Sequence, residues 1–252
     1  MRKTRFVITA LLAAACTFAA TRDLAAQESS GNGFLFGAPY GSFTVRLGYS
    51  GASAGSDLFT QMTKDLSLKR SDFASFGYGA DFAFGVLKRL DLVVSADISG
   101  MEKKSDFRDW QDNLGKPIEQ TTAFSRDAFA ISAKYYLIAP GRTLGRFAWV
   151  PARYTPWVSA GVGRTLYHFK QGGDFIDFKD NNRVFKDTFE SSKWGMTGQI
   201  AGGIDWNLNQ RFALTTQAKY FWGKADLDLD FSGFQPIDLS GIGMTGGLTI
   251  RF

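Results

Sequence analysis

Apolar and polar side chains alternate along this chain in eight stretches, and the alternation runs into its last residues. In "IGMTGGLTIRF", 242–252, Met244, Leu248, Ile250 and Phe252 fall on one side and Thr245, Thr249 and Arg251 on the other, because successive side chains of a strand point to opposite faces. The same period of two sets Phe43, Val45, Leu47 and Tyr49 against Thr44, Arg46 and Gly48 in 43–49. It sets Phe76, Tyr78, Phe82, Phe84 and Val86 against Gly77, Gly79, Asp81 and Gly85 in 76–86, and Leu92, Val94, Ala96 and Ile98 against Val93, Ser95, Asp97 and Ser99 in 91–99. In 128–137 Phe129, Ile131, Tyr135 and Leu137 oppose Ser132, Lys134 and Tyr136. Trp194, Met196, Ile200, Ile204 and Trp206 oppose Gln199 and Asp205 in 194–206, and Phe212, Leu214, Tyr220 and Trp222 oppose Thr215, Gln217 and Lys219 in 212–222. The stretch 157–170 has an ambiguous phase. Placing Trp157, Tyr167 and Phe169 outward puts Arg164, His168 and Lys170 on the polar side, but it turns Val158 and Val162 inward.

Long polar connections at 51–72, 101–123, 171–193 and 224–238 alternate with shorter ones at 87–90, 138–156 and 207–211. That rhythm predicts an all-β fold, an eight-stranded antiparallel up-and-down barrel over 43–252, with one plain and one elaborated rim and both termini on the plain side. A soluble barrel keeps its apolar set inside, and a membrane barrel turns that set toward lipid and keeps polar groups in its interior. Arg46, Asp81, Asp97, Lys134, Asp205, Lys219 and Arg251 share their face with small Gly, Ala and Ser, as a crowded narrow lumen requires. The opposite face carries aromatics near strand ends, where interfacial girdles belong: Tyr49, Phe76, Trp157, Tyr167, Trp194, Trp206 and Trp222. The pattern therefore favours a transmembrane β-barrel over a secreted soluble barrel or sandwich.

The first residues change the compartment. Arg2, Lys3 and Arg5 precede an apolar run from Phe6 to about Ala20, and small residues follow at Ala25 and Ala26, which predicts a secretory signal peptide over 1–26. Cys16 raises a lipoprotein alternative, but "AAAC" lacks the large aliphatic residue usual three positions before a lipidated cysteine. If Cys16 leaves with the signal, no disulfide or thiolate metal site remains. Residues 27–42 then form a Gly-rich periplasmic lead. Of the 29 basic and 24 acidic residues, 1–26 hold four and one; the small excess left is no nucleic-acid signature. The 24 Phe and 28 Gly beside 6 Pro suit strands and tight turns.

On these residues the chain resembles the eight-stranded outer-membrane barrels of Gram-negative bacteria, the family of the outer-membrane protein A transmembrane domain. The resemblance covers about 43–252, and its most specific element is "GLTIRF", in which Leu248, Ile250 and Phe252 look like the signal that the family's barrel-assembly machinery recognises. It implies an integral outer-membrane location, long extracellular loops, periplasmic termini, and contact with outer-membrane lipids and lipopolysaccharide.

Candidate chemistry is sparse. The inward bases Arg46, Lys134, Lys219 and Arg251, or five with Arg164, face the acids Asp81, Asp97 and Asp205. They read as a paired plug, since unpaired charge is expensive inside a lipid-embedded barrel; the sharper alternative is a narrow conduit for small solutes. A rim-located lipid-modifying enzyme is the second alternative, through the single His168 with Ser191 and Ser192 across a loop, although "LYHFKQGG" contains no recognisable motif. Asp226, Asp228 and Asp230 fall on one face of an extended segment and suit a hard cation, without the Gly turn of a calcium loop. Phe175, Ile176 and Phe178 pack a loop or present a surface to an extracellular ligand, and Arg142, Arg146 and Arg153 suit inner-leaflet phosphates. The reading is non-enzymatic, with no cofactor, no metal and no nucleic acid.

Overall fold

The computed structural model describes residues 37–111, 115–144, 148–177 and 183–252. The expected signal peptide, most of the lead, Arg146 and Phe178 lie outside them. Strands are β1 (Gly41–Ala52), β2 (Ser75–Leu87), β3 (Leu90–Gln111), β4 (Pro117–Tyr136), β5 (Gly141–Leu144), β6 (Ala148–Pro151), β7 (Tyr154–Asp177), β8 (Arg183–Ser191), β9 (Trp194–Asn207), β10 (Phe212–Ala225), β11 (Ile237–Asp238) and β12 (Gly241–Arg251). One helix, α1 (Asp57–Asp65), and 3₁₀ turns at Arg70–Phe73 and Leu229–Phe231 complete the described residues.

Eight of these strands close a barrel in the order β1, β2, β3, β4, β7, β9, β10, β12 and back to β1, each pair antiparallel. Closure removes the free edges that an open sheet exposes. Phe252 completes the seam: its carbonyl accepts the Tyr40 and Gly41 N–H groups, and its own N–H donates to the Gly41 carbonyl. The turns at Lys88–Arg89 and 208–211, the β5–β6 hairpin and residue 252 all lie at one rim.

The other rim is built up further than alternation indicated. Segments expected as polar connections continue the sheet: β3 pairs with β4 without a break as far as Asp106 and Glu119 and again, after a register shift, at Gln111 and Pro117, and β7 pairs first with β9 and then, from Phe169 to Asp177, with β8. Outside an apolar environment both faces of a strand carry polar residues, so the hydrogen-bonded ladder persists where the alternation fades.

The connection 51–72, also expected as a polar loop, folds into a cap. Leu58, Phe59 and Met62 share one face of α1 and are buried, at the i, i+1, i+4 spacing of an apolar helix stripe. With Leu66, Leu68 and Phe73 they meet Phe124, Tyr167 and Phe169 from the wall and Phe231, Ile237 and Leu239 from the β10–β12 connection. Phe59 stands edge-on to Phe73, Phe124 and Phe169, with ring centroids 4.8, 5.3 and 6.0 Å away. The main buried apolar cluster thus closes one mouth of the barrel, and the lumen below it is polar.

Candidate functional site

The lumen holds two groups of charges. In the upper group Arg46 Nη2 lies 2.6 Å from Asp81 Oδ1, Arg46 Nη1 lies 3.0 Å from Asp97 Oδ1, and Lys219 Nζ lies 2.6 Å from Asp97 Oδ2. Facing Gly79 leaves the Asp97 carboxylate its space, since a side-chain carbon at that glycine would collide with Asp97 Oδ1. In the lower group Lys134 Nζ lies 3.0 Å from Asp205 Oδ2, and the Trp157 indole N–H and Thr215 hydroxyl donate to Asp205 Oδ1, each at 2.9 Å. Arg251 donates to Asn207 Oδ1 and lies over the Trp149 ring, and the Tyr136 hydroxyl donates to Asp91.

The alternation placed Arg46, Asp81, Asp97, Lys134, Asp205, Lys219 and Arg251 on one face, and the structure brings the first six into direct ion pairs. Arg126 and Asp91 join the interior although the sequence reading passed over them. Arg126 precedes the predicted start of its strand, and its inward phase becomes evident only once β4 is extended back to Pro117.

The phase of β7 is the opposite of the one expected. Trp157 is 4 % exposed and Tyr167 fully buried, so neither belongs to an outer aromatic girdle, and Phe169 turns inward as well. Arg164, His168 and Lys170 are on the outer wall with Val158 and Val162. Polar satisfaction and space decide this phase. Trp157 reaches Asp205, and Gly203 beside it makes the room, since a side-chain carbon there would lie 2.5 Å from the indole. The Tyr167 hydroxyl bonds Ser191 Oγ at 2.6 Å and donates to the Asp226 carbonyl at 2.7 Å. The outward valines and the glycines at 161 and 163 were the available sequence signal.

Tyr49, Phe76, Trp194, Trp206 and Trp222 are exposed on the outer wall, as are Leu248 and Ile250. Phe252 is half-buried, 5.2 Å from the Tyr40 ring and 5.6 Å from that of Phe82. From Trp194 to Trp206 the outer wall spans about 40 Å of strand at ~3.3 Å per residue, or about 30 Å of height at the usual tilt of ~40°. That height matches the hydrocarbon core of a bilayer, about 30 Å.

Small cavities interrupt the filling. An upper one of about 60 Å³ lies among Asp97, Arg126, Gln199, Lys219 and Thr245. A lower one of about 30 Å³ lies among Arg46, Asp81, Lys134, Trp157 and Gln199. Gln199 and Lys219 border both, and Gln199 donates to Ser132 Oγ across 2.8 Å.

The remaining candidates sit on the loops. His168 Nδ1 lies 2.8 Å from Ser192 Oγ on the outer surface, and Ser191 is engaged instead with Tyr167 and the Asp228 N–H. Asp226, Asp228 and Asp230 do not form the expected extended face, because a 3₁₀ turn breaks the segment. Asp228 accepts the Ser192 N–H and Asp230 the Glu190 N–H, and among the described residues no cluster suits a metal ion. Phe175 packs against Phe185 and Phe189 within the β7–β8 hairpin. Arg142 and Arg153 are exposed at the rim that carries the short turns.

The molecule is therefore a closed eight-stranded antiparallel β-barrel, apolar outside and ionic within. No protein-family model and no curated protein sequence matches the chain. Among solved structures it is similar to the outer membrane protein OprG from Pseudomonas aeruginosa, with 15 % identity, 86 % of this chain and 98 % of that one covered, and a TM-score of 0.48. It is also similar to Neisserial surface protein A, with 10 % identity, coverage of 84 % and 97 %, and a TM-score of 0.46. A third similar structure is Ail of Yersinia pestis in complex with the heparin analogue sucrose octasulfate, with 10 % identity, coverage of 84 % and 99 %, and a TM-score of 0.39. These likenesses concern the fold; the strand closure itself carries the assignment.

Proposed function

We propose that this protein is a non-enzymatic integral outer-membrane barrel, a closed scaffold that holds its elaborated rim toward the exterior and its termini in the periplasm. The wall supports membrane residence: Val45, Leu47, Ile131, Val162, Ile200, Leu214 and Ile242 are exposed apolar side chains on adjoining strands, an arrangement that lipid accepts and water penalises. Outer-membrane lipids and lipopolysaccharide are its surroundings, and Leu248, Ile250 and Phe252 are the residues offered to the barrel-assembly machinery. Any extracellular ligand meets the cap and the two projecting hairpins.

The observation that carries the closed reading is the pairing of lumen charges beneath an apolar cap. A conduit needs a continuous wet path, whereas the Arg46–Asp97–Lys219 bridge spans the lumen and Phe59 with its ring neighbours covers the mouth. The test is single-channel recording on the protein refolded into a planar bilayer, with heat-modifiable gel migration confirming the folded state. A folded barrel without steady openings is expected. Openings whose size changes in K134M or R46M would replace the scaffold with a small-solute channel.

A further inference from the structure

We infer that the upper cavity is a binding site for a small monovalent inorganic anion of the chloride class, held by Arg126 beneath the cap. The argument starts from charge. In the lower group the two cations Lys134 and Arg251 are equalled in number by two carboxylates: Asp205, which pairs with Lys134, and Asp91, which attracts Arg251 from beyond ion-pair distance. The upper group has three cations, Arg46, Lys219 and Arg126, and two carboxylates, Asp81 and Asp97, both already engaged by Arg46 or Lys219. The surplus positive charge is therefore local.

Arg126 carries that surplus. It is 5 % exposed, and its guanidinium donates to the neutral Leu239 carbonyl at 3.3 Å and to Ser50 Oγ at 3.1 Å. Its other close neighbours are the rings of Phe124 and Phe221, with centroids 5.5 and 4.8 Å away. Among the described residues no carboxylate lies within ion-pair distance of it; Asp238 attracts it from farther off while accepting the Gly55 and Ser240 N–H groups. A buried cation with neutral partners and aromatic faces is costly unless a counter-charge reaches it.

The cavity offers that counter-charge a place. Arg126, Lys219, Ser50 and Thr245 all border it, and Thr245 Oγ1 is buried without a hydrogen-bond partner. Its volume of about 60 Å³ exceeds the roughly 10–15 Å³ that one water needs, so a halide and a few waters fit.

Crystals of the refolded protein grown in sodium bromide test the site by anomalous scattering. A bromide beside Arg126 in the lumen is expected; a lumen holding only water, or bromide confined to surface lysines, overturns the proposal. In solution, the temperature at which the compact gel band is lost should rise steadily with the logarithm of chloride concentration at constant ionic strength set with gluconate. R126M should abolish that dependence. T245V, which keeps the charge, provides the second variant should R126M fail to refold, and it should weaken the dependence several-fold. An unchanged chloride response in T245V together with empty anomalous maps would remove the site.

Discussion

Trp157 donates its indole N–H to Asp205 Oδ1 across 2.9 Å inside the barrel, a bond that only the inward phase of β7 permits. It fixes an aromatic ring, an ion pair and a neighbouring glycine in a common arrangement. Lys134 lies over the same indole, 4.3 Å from its centroid, so a single carboxylate organises a base, a ring and the Thr215 hydroxyl.

D205A is accordingly expected to be among the most damaging single substitutions in the lumen. It leaves Lys134 and the Trp157 N–H without their acceptor, and removal of one member of a buried pair costs about 3–5 kcal/mol. The denaturant midpoint of the refolded barrel, compared with wild type at equal slope, measures this; a shift too small to detect would show that water replaces the carboxylate freely.

The cap should yield before the wall. Phe59 is fully buried among rings from three segments, and truncating such a side chain costs about 3–5 kcal/mol. F59A should expose the 53–74 segment to limited proteolysis many-fold faster while the heat-modifiable barrel band survives. Simultaneous loss of both would mean that cap and wall form one cooperative unit.

Acid should loosen the same rim. The hydrogen bond from Lys103, at 2.5 Å, and that from the Lys69 N–H hold the Asp72 carboxyl below the usual carboxylate range. The Ser192 N–H, with Lys193, does the same for Asp228. A depressed folded-state value means that the charged form supports the fold. The contribution is complete above the unfolded carboxyl value of about 4 and disappears as pH falls through the lower folded value. Protection of the loop amides, taken relative to their intrinsic exchange rate at each pH, should fall below about pH 4 in wild type and already be low at pH 6 in D72N; pH-independent protection would refute this.

Phe252 offers a test that separates assembly from stability. Its backbone bonds to Tyr40 and Gly41 survive truncation of the ring, so F252A should refold into detergent with nearly wild-type yield. Insertion into the outer membrane in cells should fall severely if Leu248, Ile250 and Phe252 are read by the assembly machinery. Wild-type insertion of F252A would show that the machinery does not need the ring.

Much of the wall was legible because lipid and lumen impose a strict period of two: Arg46, Asp97 and Lys219 stand on the face opposite Leu47, Ile98 and Tyr220. The reading failed at Trp157 and Tyr167 because aromatic rings with a polar atom suit either environment, and the choice rests on acceptors far away in sequence. The cap was hidden for a related reason. Leu58, Phe59 and Met62 sit in a short, otherwise polar segment, and the partners that bury them from outside it come from β4, β7 and the β10–β12 connection. Arg126 was missed because its strand runs on past the point where its outward residues cease to be apolar.

That separation along the chain has a temporal consequence. Phe59 comes from the first connection between barrel strands, whereas Phe231, Ile237 and Leu239 lie just ahead of the last strand. Their burial requires β12 to have reached β1, and contacts that close such long loops form late. Until then the cap's rings lack the partners that finally bury them, so this lid cannot be fitted before its vessel exists.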